Sequence, residues 1–205
     1  MLNLLDPKHA YMVGFIQADG HLYKNKTNNK GKLSIELKES DAELLYKFQE
    51  AIPCYSSIRF RIRTTNFSKT PKTSVILEAC NLEFRQHLFN SGVPYGKKSL
   101  IIRQPQNISE IDYYRGLIDA DGSVGVSNKG IKFISLTISS ESLYKDYKTF
   151  LLKRLNFEVN VNRNKRDNIR NVMVTRENAV ELAKLLYYKD CLALKRKLMT
   201  IHSVM

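Results

Sequence analysis

Two aspartates in this chain sit in nearly the same words. Asp19 closes the stretch MVGFIQADG (residues 12–20) and Asp121 closes YRGLIDADG (residues 114–122), 102 positions apart in a chain of 205. Each stretch is an apolar helical run with a central glycine that ends in Ala-Asp-Gly. One such motif is unremarkable, but two at half the chain length imply a duplicated unit. A duplication of this kind brings two carboxylates to a shared place. Carboxylates brought together repel unless a divalent cation lies between them, and Mg²⁺ is a hard ion suited to carboxylates, water and phosphate oxygens.

The elements that must position the pair follow from the same motifs. Gly14 and Gly116 remove a side chain where another backbone can approach closely, and Ala18 and Ala120 stand four residues later on the same helical face. Two such helices can pack along their small residues with an aspartate at each lower end. In the first half, Pro7 suits a first helical turn and Gly20 a stop, which predicts a helix over about Lys8–Asp19. LSIELK (33–38) alternates as a half-buried strand, and SDAELLYKFQEAI opens on the N-cap candidate Ser40. A hairpin from SIRFRIR to TSVILEA and a helix in NLEFRQHLFNSGV complete the unit. The second half runs in the same order: the motif helix, a hairpin turning near Asn128-Lys129-Gly130, and the helix SLYKDYKTFLLKRL. The hairpin VNVNRNKRDNIRNVMVT and a last helix, ENAVELAKLLYY, close it. The expected architecture is α+β: two pseudo-twofold-related αββαββα repeats, each with an antiparallel sheet. The expected boundaries are 1–103 for the first repeat, 104–112 for a linker and 113–205 for the second.

Composition narrows the partners. With 33 Lys and Arg against 20 Asp and Glu, the formal charge is +13, which suits a polyanion better than a small neutral substrate. No apolar run approaches the roughly 18 residues of a membrane span, and the N-terminus lacks the order of a signal peptide. Cys54, Cys80 and Cys191 are odd in number and form no CxxC pair, so neither a disulfide frame nor a zinc site is expected. The four histidines (His9, His21, His87 and His202) have no metal-ligand spacing. A reducing intracellular setting is expected; mitochondrion, chloroplast, bacterial or phage, and archaeal hosts stay open.

With Gly116-Leu117-Ile118-Asp119-Ala120-Asp121-Gly122 identical to the name-giving signature, the chain resembles the LAGLIDADG homing endonucleases in their single-chain, two-motif form. The first copy departs at Gln17, where the signature has its first Asp, and Arg115 replaces a small residue in the second. The resemblance implies that the second Asp of each motif, Asp19 and Asp121, holds the metal, helped by the backbone carbonyls of Ala18 and Ala120. It implies Mg²⁺, with Mn²⁺ or Ca²⁺ as substitutes in vitro. It further implies a monomer that cuts each strand of a long asymmetric DNA site once, across the minor groove, leaving staggered ends. A basic residue near each active site is also implied. Lys98 is chosen over Lys97 in the first half, and Lys195 over Lys189 and Lys197 in the second, where the register is unclear. The resemblance also implies a polar residue that holds water on a strand near each acidic end, and Glu36 and Thr137 occupy similar strand positions there.

Specificity must come from the hairpins. In SSIRFRIRTT (56–65), Ile58, Phe60 and Ile62 point one way and Arg59, Arg61 and Arg63 the other. Arginine bonds guanine edges bidentately in the major groove or holds phosphates, and Lys69 adds charge at the hairpin end. The second half answers with Asn160, Asn162 and Asn164, suited to adenine edges, followed by Lys165, Arg166 and Arg170. Two other classes retain a basic surface: an RNA maturase acting on a group I intron, and a DNA-binding regulator without catalysis. Arg61→Ala is expected to cost about 1–3 kcal/mol on a cognate duplex and less on random sequence. Equal losses on the two in a competition binding assay would make Arg61 a phosphate contact.

Overall fold

A computed structural model of the chain describes residues 2–65 and 68–205, with side chains at 63, 65 and 68–70 outside the description. The two motif helices form its centre: α1 (Pro7–Asp19) and α4 (Glu110–Asp121). α1 starts where Asp6 accepts hydrogen bonds from the Lys8 and His9 amides at 2.9 and 3.1 Å, with Pro7 in the first turn. Residues 10–17 of α1 and 112–119 of α4 are all buried, so neither helix is amphipathic: each is enclosed on every side.

The reason is a reciprocal backbone contact. A Cβ built on Gly14 would overlap the Tyr113 carbonyl oxygen, and one on Gly116 would overlap that of Tyr11. Both pairs are related by the same 102-residue shift as the aspartates. Nothing larger than a hydrogen fits at either crossing.

Each half wraps a sheet and helices around this pair. In the first, β1 (His21–Lys24), β2 (Gly31–Lys38), β3 (Ser56–Thr65) and β4 (Ser68–Ala79) form an antiparallel sheet in the order β1-β2-β4-β3. Leu22, Leu33, Ile35, Val75, Leu77 and Ala79 are buried on its inner face, against α2 (Ala42–Ala51) and α3 (Leu82–Asn90). In the second half, β5 (Gly122–Val126), β6 (Lys132–Ile138) and β7 (Arg170–Thr175) form an antiparallel sheet in that order. Ile134, Leu136, Ile138, Val172 and Val174 are buried against α5 (Glu141–Leu155) and α6 (Arg176–Leu186). The buried residues of both halves form one continuous core.

Four details differ from the sequence reading. The second sheet has three described strands, because 157–164 joins no ladder although Val159 is buried. Side chains take the backbone groups a ladder would use: Arg170 Nε donates to Val161 O at 3.1 Å, and the Val161 amide donates to Tyr144 Oη at 3.0 Å. Second, the last helix is α7 (Lys195–Val204), beyond the ENAVELAKLLYY helix. Third, α4 begins inside the expected linker at Glu110, and Gln104 before it is held by a 2.9 Å hydrogen bond from its amide to Asp146. Fourth, Phe60 and Ile62 are 56% and 72% exposed; the outer end of the β3–β4 hairpin runs past the helices that cover Ile58.

Gly14→Ala and Gly116→Ala are each expected to destabilise the fold by about 1–3 kcal/mol or more, since the obstacle is backbone and cannot rotate away. Urea unfolding measures this. A loss no greater than that of Gly→Ala in a loop would disprove the close contact.

Candidate active site

The crossing brings the C-terminal ends of α1 and α4 together, so Asp19 and Asp121 emerge side by side. Each helix stops at a glycine whose amide closes on the carbonyl four residues earlier: Gly20 on Ile16 at 3.0 Å, Gly122 on Ile118. Ala18 and Ala120 lie in the last turns, where carbonyls run out of intrahelical donors and carry the negative end of the helix dipole. The carboxylates are open to solvent on one side and backed by dense protein on the other. Burial raises the proton affinity of both, and for Asp19 the Asp121 carboxylate raises it further; Lys98 and Lys197 oppose the rise at each.

The donor set therefore consists of oxygens only: two mutually repelling carboxylates and helix-end carbonyls. Among the described residues no third His, Cys, Asp or Glu joins them as a metal group. This set fits a hard divalent cation that keeps several waters, as Mg²⁺ does.

The two lysines repeat the twofold relation. Lys98 Nζ donates to Ile16 O at 2.5 Å and to Gly20 O. Lys197 Nζ donates to Ile118 O and, at 2.7 Å, to Gly122 O. The acceptors are again 102 residues apart. Burial lowers both lysines to about 8, against the upward pull of the nearby aspartates. Lys195, the choice made from sequence, is exposed at the start of α7 and lies toward Glu43 of α2. The position equivalent to Lys98 therefore belongs to Lys197. Counting could not separate the candidates, because Lys98 follows Gly20 by 78 positions and Lys197 follows Gly122 by 75.

The sixth motif residue, Gln17 or Asp119, lies inward and is almost fully buried. Asp119 accepts from Tyr11 Oη, Tyr187 Oη and the Leu194 amide, each at 2.7 Å. Gln17 accepts from Tyr113 Oη at 2.6 Å, while its amide group donates to Gly92 O at 2.6 Å and Arg103 O at 3.2 Å. Three donors demand a carboxylate; one donor and two carbonyls demand an amide. The departure from the signature is thus chemically matched to its surroundings.

Two further contacts escaped the sequence reading. Arg115 is completely buried and donates to Leu186 O, Leu192 O and Asp112 at 2.7, 2.8 and 2.5 Å, with Tyr11 and Tyr188 rings against its guanidinium. Arg196, beside Lys197, bonds Asp41 of the first half at 3.0 Å and so ties α7 across the molecule.

The open sheet faces differ. In the first sheet, the rows Glu36–Ile76–Arg59 and Lys38–Ser74–Arg61 cross the face away from the core. Arg59 and Arg61 are exposed; Arg59 contacts Glu78 at 3.3 Å and Ser74 Oγ donates to Glu36 at 2.6 Å. The Lys69 and Arg63 side chains lie outside the description. In the second sheet, Ser123–Ser135–Met173 and Thr137–Asn171 form the corresponding rows. Register pairs His21 with Ser34 and Ser123 with Ser135, which makes Thr137 the counterpart of Glu36. Asn160, Asn162, Asn164, Lys165 and Arg166 are exposed, though Asn160 accepts from Lys148 at 2.7 Å and Arg166 pairs with Asp167. Arg170 is corrected: it folds back over the Tyr144 ring at 4.2 Å and bonds Glu141 at 2.8 Å, away from the open face.

A twofold-related helix pair carrying acidic ends beneath two antiparallel sheets defines the class of proteins built from paired motif helices. The profile of the LAGLIDADG-like domain matches residues 6–85 and 110–187. The chain belongs to the LAGLIDADG family, with two copies of the domain. Its fold is similar to that of the homing endonuclease I-WcaI bound to its DNA recognition sequence (TM-score 0.63, 17% identity, covering 97% of this chain and 88% of that one). It is also similar to the I-SmaMI LAGLIDADG homing endonuclease bound to cleaved DNA (TM-score 0.58, 15% identity, 95% and 87%). A third similar fold is I-SmaMI on an uncleaved target with calcium ions (TM-score 0.53, 14% identity, 86% and 81%). No curated protein matches this chain in sequence.

Biosynthetic ¹³C-labelling of lysine with NMR detection at Cε is expected to show two lysines titrating near pH 8, lost in turn in Lys98→Arg and Lys197→Arg. Because these folded values lie below the unfolded one near 10.4, each lysine's cost to stability is fully present below pH 8 and is relieved as pH rises from 8 toward 10.4. Ordinary titration of every lysine would refute the desolvated placement.

Proposed function

We propose that this chain is a sequence-specific DNA endonuclease that cuts both strands of a long asymmetric duplex, using a divalent cation, Mg²⁺ in the native reaction. The observation that carries the reading is the composite cluster: one aspartate and one desolvated lysine from each half, gathered at the ends of the helix pair. A binding-only protein has no use for repelling carboxylates and buried amines at one spot, since both cost stability.

Asp19, Asp121 and the carbonyls of Ala18 and Ala120 would hold the cation, which when bound lowers the pKa of water and offsets charge on the leaving oxygen. The lysines' part follows from their hydrogen-bond count. An ammonium has three N–H donors, and helix-end carbonyls take two, leaving one to meet developing charge on a phosphoryl oxygen. A neutral amine has two N–H groups, both taken, so its lone pair is the part left for a proton. With values of about 8, each lysine can hold either form near neutral pH.

The sheets supply recognition. Lys38, Arg59 and Arg61 on the first open face suit guanine edges and phosphates, whereas Ser123, Thr137 and Asn171 on the second are neutral. Such unlike faces favour an asymmetric target; a staggered cut is what the family resemblance implies. The formal charge of +13 supports a polyanionic partner.

Asp19→Asn and Asp121→Asn are expected to reduce double-strand cleavage about a hundredfold or more while leaving binding intact. The substrate is a duplex recovered from a randomised library by wild-type cleavage with Mg²⁺, and binding is read by mobility shift. Cleavage that survives in the double variant removes the site assignment. Recovery of no cut duplex at all removes the nuclease reading.

A further inference from the structure

We infer that the buried sixth residues of the two motifs, Gln17 and Asp119, are positioning residues that set Lys98 and Lys197 against the site, each through its own chain segment. The inference rests on the proposed nuclease reading for its catalytic meaning and on geometry for its substance.

In the second half the path is short and continuous. Asp119 accepts from the Leu194 amide at 2.7 Å. Leu194 is the N-cap residue of α7, and as a leucine it offers no side-chain cap. Its carbonyl accepts from the Lys197 and Leu198 amides at 2.9 and 3.0 Å. The Lys197 side chain then returns to Ile118 O and Gly122 O, on either side of Asp119 in α4. Asp119, Leu194 and Lys197 thus close a ring on the last turn of the motif helix. Tyr187, at the end of α6, donates to the other Asp119 oxygen at 2.7 Å, so both ends of the connector from α6 to α7 are fastened to one carboxylate.

The first half does the same work with the opposite polarity. Lys98 lies between Gly92 and Arg103, the two residues whose carbonyls accept from Gln17 Nε2. The Lys98 carbonyl accepts from the Ile101 and Ile102 amides at 2.9 and 3.1 Å, and its Nζ returns to Ile16 O and Gly20 O, on either side of Gln17. One half fixes its lysine through donors offered to a carboxylate, the other through carbonyls offered to an amide. Each sixth residue is also held by the tyrosine of the opposite motif, Tyr11 on Asp119 and Tyr113 on Gln17.

Isosteric swaps test this, because they keep volume and reverse donor count: Asp119→Asn and Gln17→Glu. Strand-resolved single-turnover cleavage of the library-derived duplex is compared with that of Lys197→Ala and Lys98→Ala. Asp119→Asn is expected to slow cleavage about 10–100-fold with the strand preference of Lys197→Ala, and Gln17→Glu with that of Lys98→Ala. Asp119→Asn combined with Lys197→Ala is expected to be no slower than Lys197→Ala alone, since the aspartate acts through the lysine. Multiplying losses, or equal slowing of both strands, would overturn the inference and leave a general packing role.

Leu194→Pro provides a second variant. It deletes the N–H that Asp119 accepts at a residue whose φ of −71° proline tolerates, and is expected to match Asp119→Asn. A readout without substrate separates this inference from the nuclease reading. In protein carrying ¹³C-labelled lysine, Leu194→Pro, which leaves the Asp119 charge in place, should move the Lys197 signal and leave that of Lys98. Movement of neither, or of both together, refutes the positioning role even if the wild type cuts DNA.

Discussion

The structure depends on the contact of two backbones at Gly14 and Gly116. Where each glycine meets the carbonyl of the opposite tyrosine, no side chain separates the helices. A crossing this close leaves no room for solvent, so every polar group on the inner faces must find its partner within the protein. The tyrosines answer this by exchange: each reaches across to the polar residue of the other motif. The same crossing fixes where the helices end, and therefore where two carboxylates appear.

That constraint explains why the halves share a frame and differ in chemistry. A buried position tolerates any residue whose donors and acceptors balance, and Gln17 and Asp119 are two solutions to differing neighbours. Arg115 is a third case. Its counterpart in the first motif is Val13, an ordinary core residue, whereas Arg115 satisfies Leu186 O at the end of α6, Leu192 O in the connector that leads to α7, and the Asp112 carboxylate one turn earlier in α4. Duplication supplies the positions, and local hydrogen-bond arithmetic then decides the residue at each.

The features legible in sequence were those set by short-range pattern. Paired motifs revealed the duplication, alternation revealed most strands, and the glycines announced the close helix contact. Contacts that join distant segments stayed hidden. Lys197 and Lys195 lie two positions apart on one helix face or the other, and only the docking of α7, through Asp119 and through Arg196 on Asp41, decides which one enters the site. Arg170 belongs to an alternating run that reads as sheet face, yet the Tyr144 ring and Glu141 draw it back. Phe60 and Ile62 alternate as core residues but lie beyond the reach of the helices beneath. In each case the pattern was sound and a tertiary partner, or its absence, set the outcome.

Although the chain carries +13, the open face of the first sheet carries Lys38, Arg59 and Arg61, while the cluster at the helix ends holds two carboxylates against two lysines of lowered proton affinity. On the proposed function this separation is what catalysis requires. Desolvated lysines already committed to two carbonyls interact weakly with a resting phosphate. Their remaining valence becomes useful only when charge or a proton appears on an oxygen beside them. Affinity is thereby left to the sheets, and discrimination between ground and transition state to the helix ends.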